Sequence, residues 1–323
     1  MKFINLRKKL ALGLLVGSLV FALTACGGGE NTAKEEPANN TATEEPAEEA
    51  TNNKAEETAS AEATEGPITV ISREQGSGTR GAFTEITGIV AKNEAGEEVD
   101  NTSTEAVVQN STNAVMTTVA NDPQAIGYIS LGSLDETVKA VKVEGAEASE
   151  ETVKSGDYKI ARPFNLVYKP GLAAEVQDFV DFIMSDEGQE IATAEGYVGQ
   201  PQGNKYEASG NAAHITIAGS TSVTPLMEKL VEAYKAHNPD FQADIQATGS
   251  SAGIKSAIEG SAVLGMASRE IKDEEMSQGI ENLVIAMDGI AVVVNPESTI
   301  EDLTLEQIKN IFEGKITDWA EIK

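Results

Sequence analysis

The feature that most constrains how this chain can fold is a local pattern that occurs three times. An apolar run leads into a short loop of glycine and small hydroxyl residues, and an amphipathic stretch follows. It reads ITVISREQGSGTRGAF from Ile68, ITIAGSTSVTPLMEKL from Ile215 and DIQATGSSAGIKSAIEG from Asp244. A strand that passes directly into a helix is the building unit of a parallel sheet. AIGYISL (125–131), FNLVYK (164–169) and IAVVVN (290–295) read as further strands. Val223, Met227, Leu230 and Tyr234 share one helical face, as do Val176, Phe179 and Ile183. TLEQIKNIF opens with Thr304 and Gln307 at capping-box spacing. The pattern predicts an α/β protein with largely parallel sheets. The 258 residues from Gly66 onward are many for one core, so two lobes are expected.

The three loops share a chemistry. A helix N-terminus presents unpaired N–H groups and a partial positive charge. Serine and threonine add hydroxyl donors, and glycine lets a ligand approach the backbone. Any one loop is explained by ordinary N-capping; three, each after a strand, suggest a cage for an anion. Gly76, Gly78 and Gly81 also have the spacing of a dinucleotide-binding turn. That reading needs an acidic residue about 20 positions on, at the end of a strand. The region there is AKNEAGEEVDN, a polar stretch in which Glu97, Glu98 and Asp100 are not expected on a strand. A Walker loop fails because no Lys-Ser or Lys-Thr follows the glycines.

The first residues are not globular. Lys2, Arg7, Lys8 and Lys9 precede the apolar run LALGLLVGSLVFALTA, and Leu23–Cys26 reads LTAC. Small residues before a lone cysteine read as a lipoprotein signal peptide over 1–25, with Cys26 as the lipidation site. The alternative is a short membrane-spanning anchor, since about 16 apolar residues approach a span. One lipidated cysteine gives an anchor rather than a span, and it explains an exported chain whose single cysteine has no disulfide partner. Residues 27–65 hold eleven acidic residues, two lysines and no aromatic residue. Such a segment cannot bury enough apolar surface to order itself, so 26–66 is expected to be a lipidated, self-repelling tether.

The whole chain carries −28, which argues against nucleic acid. It also means that an anion site here must work through short-range, oriented dipoles. Enzyme readings find little support. His214 and His237 lack metal-ligand spacing. There is no Gly-x-Ser-x-Gly elbow, no clear Ser–Lys pair and no free cysteine nucleophile. No cofactor and no metal are expected.

Taken together, AGSTSVTPLMEKLVEAY, GSSAGIKSAIEG, GMASRE, SREQGSGTRGAF and AIGYISLGSL resemble the phosphate-binding proteins of phosphate ABC transporters, over nearly all of 67–323. The resemblance implies a two-lobed type II periplasmic-binding-protein fold with the ligand in the inter-lobe cleft. In that family the GSTS-type loop precedes the SGT loop; here the order is reversed. The chain therefore looks circularly permuted, with GQPQGNKYEASGNAA (199–213) joining the old ends. A duplication is excluded because each half occurs once. The implied lobes are 67–162 plus 295–323, carrying the SGT loop, and 163–294, carrying the GSTS and GSS loops. The implied hinge lies near Arg162–Phe164 and Val293–Pro296.

Residue by residue, the resemblance carries over Thr221, Ser222 and Ser250 as phosphate donors, Arg73 as the arginine, and Ser77, Gly78 and Thr79 as the triplet at the helix start. One position departs: Arg269 stands where some members have an aspartate. Phosphate at neutral pH carries a proton and sulfate does not, so an acceptor carboxylate favours phosphate. Asp288 is the expected replacement, with Glu270 second; the plainer reading of Asp288 is a solvated turn residue. Arg80 reads equally as a site residue or a surface ion-pair former. The implied function is a monomeric, lipid-anchored receptor on the extracytoplasmic face of the membrane, passing inorganic phosphate to permease subunits. Receptors for sulfate or molybdate, a non-transport surface lipoprotein and an exported phosphate-ester hydrolase are the alternatives.

Overall fold

The computed structural model describes residues 64–322. The leader, Cys26 and the acidic segment up to residue 63 lie outside the described residues. In the first part of the chain come β1 (Thr69–Arg73), α1 (Gly78–Ile86), β2 (Val90–Lys92), β3 (Glu98–Asp100), β4 (Val107–Gln109), α2 (Thr112–Ala120) and β5 (Ala125–Ser130). Then follow β6 (Lys139–Ala140), β7 (Lys142–Val143), α3 (Glu150–Ser155), β8 (Ala161–Tyr168), α4 (Ala174–Ile183), α5 (Asp186–Ala194) and β9 (Val198–Gly199). The last part holds β10 (His214–Gly219), α6 (Thr224–His237), β11 (Gln242–Ala247), α7 (Ser250–Glu259), β12 (Leu264–Ala267), α8 (Asp273–Met276), β13 (Glu281–Val294), β14 (Asp302–Leu303) and α9 (Leu305–Phe312).

The main sheet runs β11-β10-β12-β8-β13-β5-β1-β4. Two three-stranded parallel blocks, β11-β10-β12 and β5-β1-β4, are joined through antiparallel β8 and β13. The inner strands β5 and β12 are buried on both faces, as parallel strands require, while the edge strands β4 and β11 are largely exposed. Period-two alternation decides which face each side chain takes. On β13, Ile290, Val292 and Val294 join one core with Phe83, Tyr128 and Trp319. Ala291 and Val293 point the other way, to Ile71 and Val115. Around β10 and β12 a separate core gathers Val223, Met227, Leu230, Tyr234, Val176, Phe179 and Ile183, the two helical faces expected from spacing. Fully burying one such aliphatic side chain contributes about 1.5–3 kcal/mol.

Two expectations need correction. Asp100 and Glu98 do lie on a strand: β3 pairs antiparallel with β2 in a small polar hairpin. The hairpin forms because Asn93 and Gly96 close a tight turn between them. The second crossing between the two cores also falls earlier than Val293–Pro296. β13 is one strand of 14 residues that pairs with β8 over Glu281–Gly289 and with β5 over Ile290–Val294. Ala286 still belongs to the first core and Ile290 to the second, so the change-over is at Met287–Gly289. On β8 the change lies between Ala161 and Phe164.

Residues 200–213 contain no helix or strand but are well tied down. The Tyr206 hydroxyl donates to Asp178 at 2.8 Å and accepts from Asn238 Nδ2 at 2.8 Å. The Gly210 and Asn211 N–H groups donate to Asn238 Oδ1 at 2.9 and 3.0 Å. Among the described residues no helix is long and apolar enough to cross a membrane, and no His/Cys/Asp/Glu cluster suits a metal ion.

Candidate functional site

The sheet brings the three Ser/Thr-Gly loops to one place. β1 ends at Arg73, and the chain turns through Gly76, whose φ of +88° suits glycine, into α1. Ser77 caps α1 by accepting from the Arg80 N–H. The helix is set against the sheet by Phe83, whose ring stacks on Tyr128 at 4.0 Å and meets Phe312 at 4.8 Å. The Tyr128 hydroxyl in turn accepts from the Arg73 N–H at 3.0 Å. Burial pushes the Tyr128 hydroxyl's pKa up, so it stays protonated. α7 begins at Ser250 after Gly249, at φ +90°.

Donors from the two blocks bond directly to each other. Arg73 Nη2 donates to Thr221 Oγ1 at 3.0 Å. The Thr79 and Ser222 hydroxyls are 2.9 Å apart. The Ser251 N–H donates to the Gly76 carbonyl at 3.1 Å. Ser250 Oγ accepts from the Ser268 N–H at 3.1 Å, and Ser220 Oγ donates to Ser268 Oγ at 2.9 Å. Gly78 abuts this pair: a Cβ built there would stand 2.3 Å from Ser250 Oγ and 2.6 Å from Ser268 Oγ. Arg73, Ser77, Thr79, Ser222 and Ser250 are all buried. The result is a closed cluster of hydroxyls and helix N-termini around one guanidinium, suited to a small tetrahedral anion. A cavity of about 300 Å³ opens beside it, lined by Gln75, Ser77, Arg80, Ser251, Arg269 and Lys272. The larger cavity, about 680 Å³, lies far from these loops, between α4 and the 202–207 segment.

The structure adds residues that sequence reading missed. Thr112 Oγ1 lies 3.2 Å from Ser222 Oγ, at the start of α2. VVQNSTNAVM (107–116) is a fourth strand, hydroxyl loop and helix, and its grammar was visible in the sequence. Ser220 and Ser268 also belong to the cluster. Glu74 accepts from Arg73 Nε at 2.8 Å and from Nη2 at 3.0 Å.

The structure gives Asp288, Arg269, Glu270 and Arg80 definite places. Asp288 is 1% exposed, which excludes a solvated turn. Its carboxylate accepts from Arg162 Nε and Nη2 (3.1 and 2.9 Å), Ser130 Oγ (2.9 Å) and the Leu131 N–H (3.2 Å). Burial pushes its pKa up, and the Arg162 charge opposes that. Four protein donors saturate a carboxylate, so Asp288 is a structural partner at the crossing of β8 and β13. The same guanidinium donates to the Ser268 carbonyl at 3.0 Å, which places the pair just behind the hydroxyl cluster. Arg269 forms a two-bond pair with Glu275, both at 2.8 Å, and its stem lies 3.4 Å from where a Gly81 Cβ would be. Glu270 is exposed. Arg80 braces the back of the loop, donating to Ser72 Oγ and the Arg73 carbonyl at 2.8 Å and pairing with Asp100 at 2.7 Å.

A model of the PBP superfamily domain matches residues 37–187 and 204–322. Phosphate-binding protein PstS 2 of Streptococcus agalactiae is 50% identical over 264 residues, 81% of this chain and 90% of that protein. The chain belongs to the PstS family of the PBP superfamily. Phosphate-binding protein PstS 2 of Streptococcus pneumoniae is 46% identical, over 82% of this chain and 91% of that one. The crystal structure of a phosphate ABC transporter's phosphate-binding protein from Streptococcus pneumoniae superposes with a TM-score of 0.65 at 46% identity, covering 80% of this chain and all of that one. In this PstS-family chain the hydroxyl cluster joins two parallel blocks of one curled sheet, as a two-lobed binding protein requires.

Proposed function

We propose that the chain is an extracytoplasmic solute-binding protein that captures inorganic phosphate for import by an ABC transporter. The observation that carries this is the convergence of the helix starts at Ser77–Thr79 and Ser250 with the Thr221–Ser222 loop around the buried Arg73. The hydroxyls now bonded across the cleft are the donors that a phosphate would take over. The lobes are assigned to the two cores, one built on β10–β12 and the other on β1, β4 and β5; the hinge is assigned to the Arg162–Asp288 crossing. The protein binds and releases its ligand without chemical change, is held to the membrane through lipid on Cys26, acts as a monomer and hands its cargo to permease subunits.

The reversed loop order is read as circular permutation. Support comes from the ends of the folded part. The Ile68 N–H donates to the Thr317 carbonyl at 2.8 Å, and the Trp319 N–H donates to the Gly66 carbonyl at 2.9 Å. A chain running on from 322 would therefore reach 66 directly, which is the condition for permutation. The segment 199–213, tied down over 200–213, is the new join.

One observation favours a different oxyanion: Arg269 stands where an acceptor carboxylate was expected. Calorimetric titration of the purified chain with phosphate, sulfate and molybdate decides. Tight, preferred binding of phosphate supports the proposal, and preference for sulfate or molybdate replaces the ligand. Binding of none of them overturns the receptor reading.

A further inference from the structure

We propose that Glu74 is the acceptor that recognises the ligand's own proton and so separates hydrogen phosphate from sulfate; this rests on the phosphate-receptor reading. Glu74 Oε1 is 3.0 Å from Arg73 Nη2, and the same nitrogen is 3.0 Å from Thr221 Oγ1. The carboxylate, the guanidinium and the first donor hydroxyl of the opposite loop are thus contiguous. Oε1 is also 3.6 Å from the point where a Cβ on Gly249 would stand, at the entrance to α7. Glu74 therefore reaches across to the loop that holds Ser250.

Capacity and access distinguish Glu74 from the other carboxylates nearby. A carboxylate accepts about four hydrogen bonds. Asp288 has four protein donors and a fully buried side chain. Glu275 serves both Arg269 nitrogens and the Lys272 N–H. Glu74 takes two bonds from Arg73, which leaves acceptor positions for a ligand, and its side chain is 27% exposed. The two bonds from Arg73 hold it aimed at the Ser250 loop. A P–O–H group then finds an anionic acceptor. Sulfate, with no proton to give, leaves those acceptor positions unpaired and faces carboxylate oxygens that repel its own. Donor hydroxyls and Arg73 serve both anions alike.

A purely positioning role for Glu74 would weaken both anions in proportion, so the affinity ratio is the readout. The full chain and its Glu74→Gln and Glu74→Asp variants are titrated with phosphate and sulfate near pH 7, after thermal unfolding has verified that each is folded. In Glu74→Gln the phosphate-to-sulfate ratio falls by roughly ten- to hundredfold, the scale of one charged hydrogen bond. In Glu74→Asp, which keeps the charge, the ratio stays closer to the parent's. Proportional weakening of both anions, an unchanged ratio in Glu74→Gln, or equal collapse in both variants overturns the inference. A parent chain that binds neither anion, or prefers sulfate, overturns the phosphate-receptor reading instead.

Discussion

Adding one methyl group at Gly78 should separate ligand binding from folding. Gly78 is the first residue of α1 and has helical backbone, so alanine is locally acceptable and even favoured by helix propensity. The obstacle is across the cleft. The new Cβ would lie 2.3 Å from Ser250 Oγ and 2.6 Å from Ser268 Oγ, inside the 3.0 Å that real contacts essentially never breach. Ser250 cannot easily turn away, because it is fully buried and its oxygen accepts the Ser268 N–H. Relief has to come from parting the two blocks. Overpacking of this kind costs about 1–3 kcal/mol, or about 5- to 150-fold in affinity at 1.4 kcal/mol per tenfold. The assay is calorimetric titration of Gly78→Ala with phosphate, alongside urea unfolding without ligand. Weakened binding with an unchanged unfolding midpoint is expected. Parent-like affinity would refute the idea that α1 and α7 close on each other around the ligand.

Other outcomes follow from the same geometry. Thr79→Ala and Ser250→Ala each remove a hydroxyl from the cluster and should weaken phosphate binding by about 1.5–3 kcal/mol in titration, with far-UV circular dichroism unchanged. Asp288→Asn leaves Arg162 buried without its counter-charge and should cost about 3–5 kcal/mol of stability, read as a lower urea midpoint, while the phosphate-to-sulfate ratio stays as in the parent. Glu275 has a pKa below its ordinary value of 4.5: partial burial raises it, and the Arg269 and Lys272 bonds outweigh that. A lowered folded-state value means that this stabilisation is complete above pH 4.5 and lost as pH falls through the lowered value. Urea midpoints from pH 7 to pH 3 should therefore fall more steeply for the parent than for Glu275→Gln.

Local patterns made much of the fold legible. The three strand–loop–helix units, the α6 and α4 apolar faces and the Thr304–Gln307 cap depend on residues within one or two turns of each other, and the structure has them in place. The length of β13 was harder to read. Asn282, Asp288 and Gly289 interrupt its apolar alternation, so only 290–295 stood out. The Arg162–Asp288 pair spans 126 positions, and no periodicity reports such a contact. A signal did exist, since each charge sits inside an otherwise apolar strand and a buried charge needs a partner. Glu74 was hidden differently. Neighbours on a strand face opposite ways, so adjacency to Arg73 gives no sign of pairing. The chain has left strand geometry by residue 74, and the two side chains meet.

A crystal structure of the chain grown with phosphate tests the hydroxyl-lined cleft most directly. One tetrahedral anion is expected, bonded to Arg73, Thr221, Ser222, Ser250 and the Ser77–Thr79 turn, with a Glu74 oxygen at hydrogen-bond distance from it. The direct Thr79–Ser222 and Arg73–Thr221 bonds would be replaced by bonds to the ligand. A saturated crystal in which those cross-cleft bonds persist and the anion lies elsewhere would contradict this arrangement.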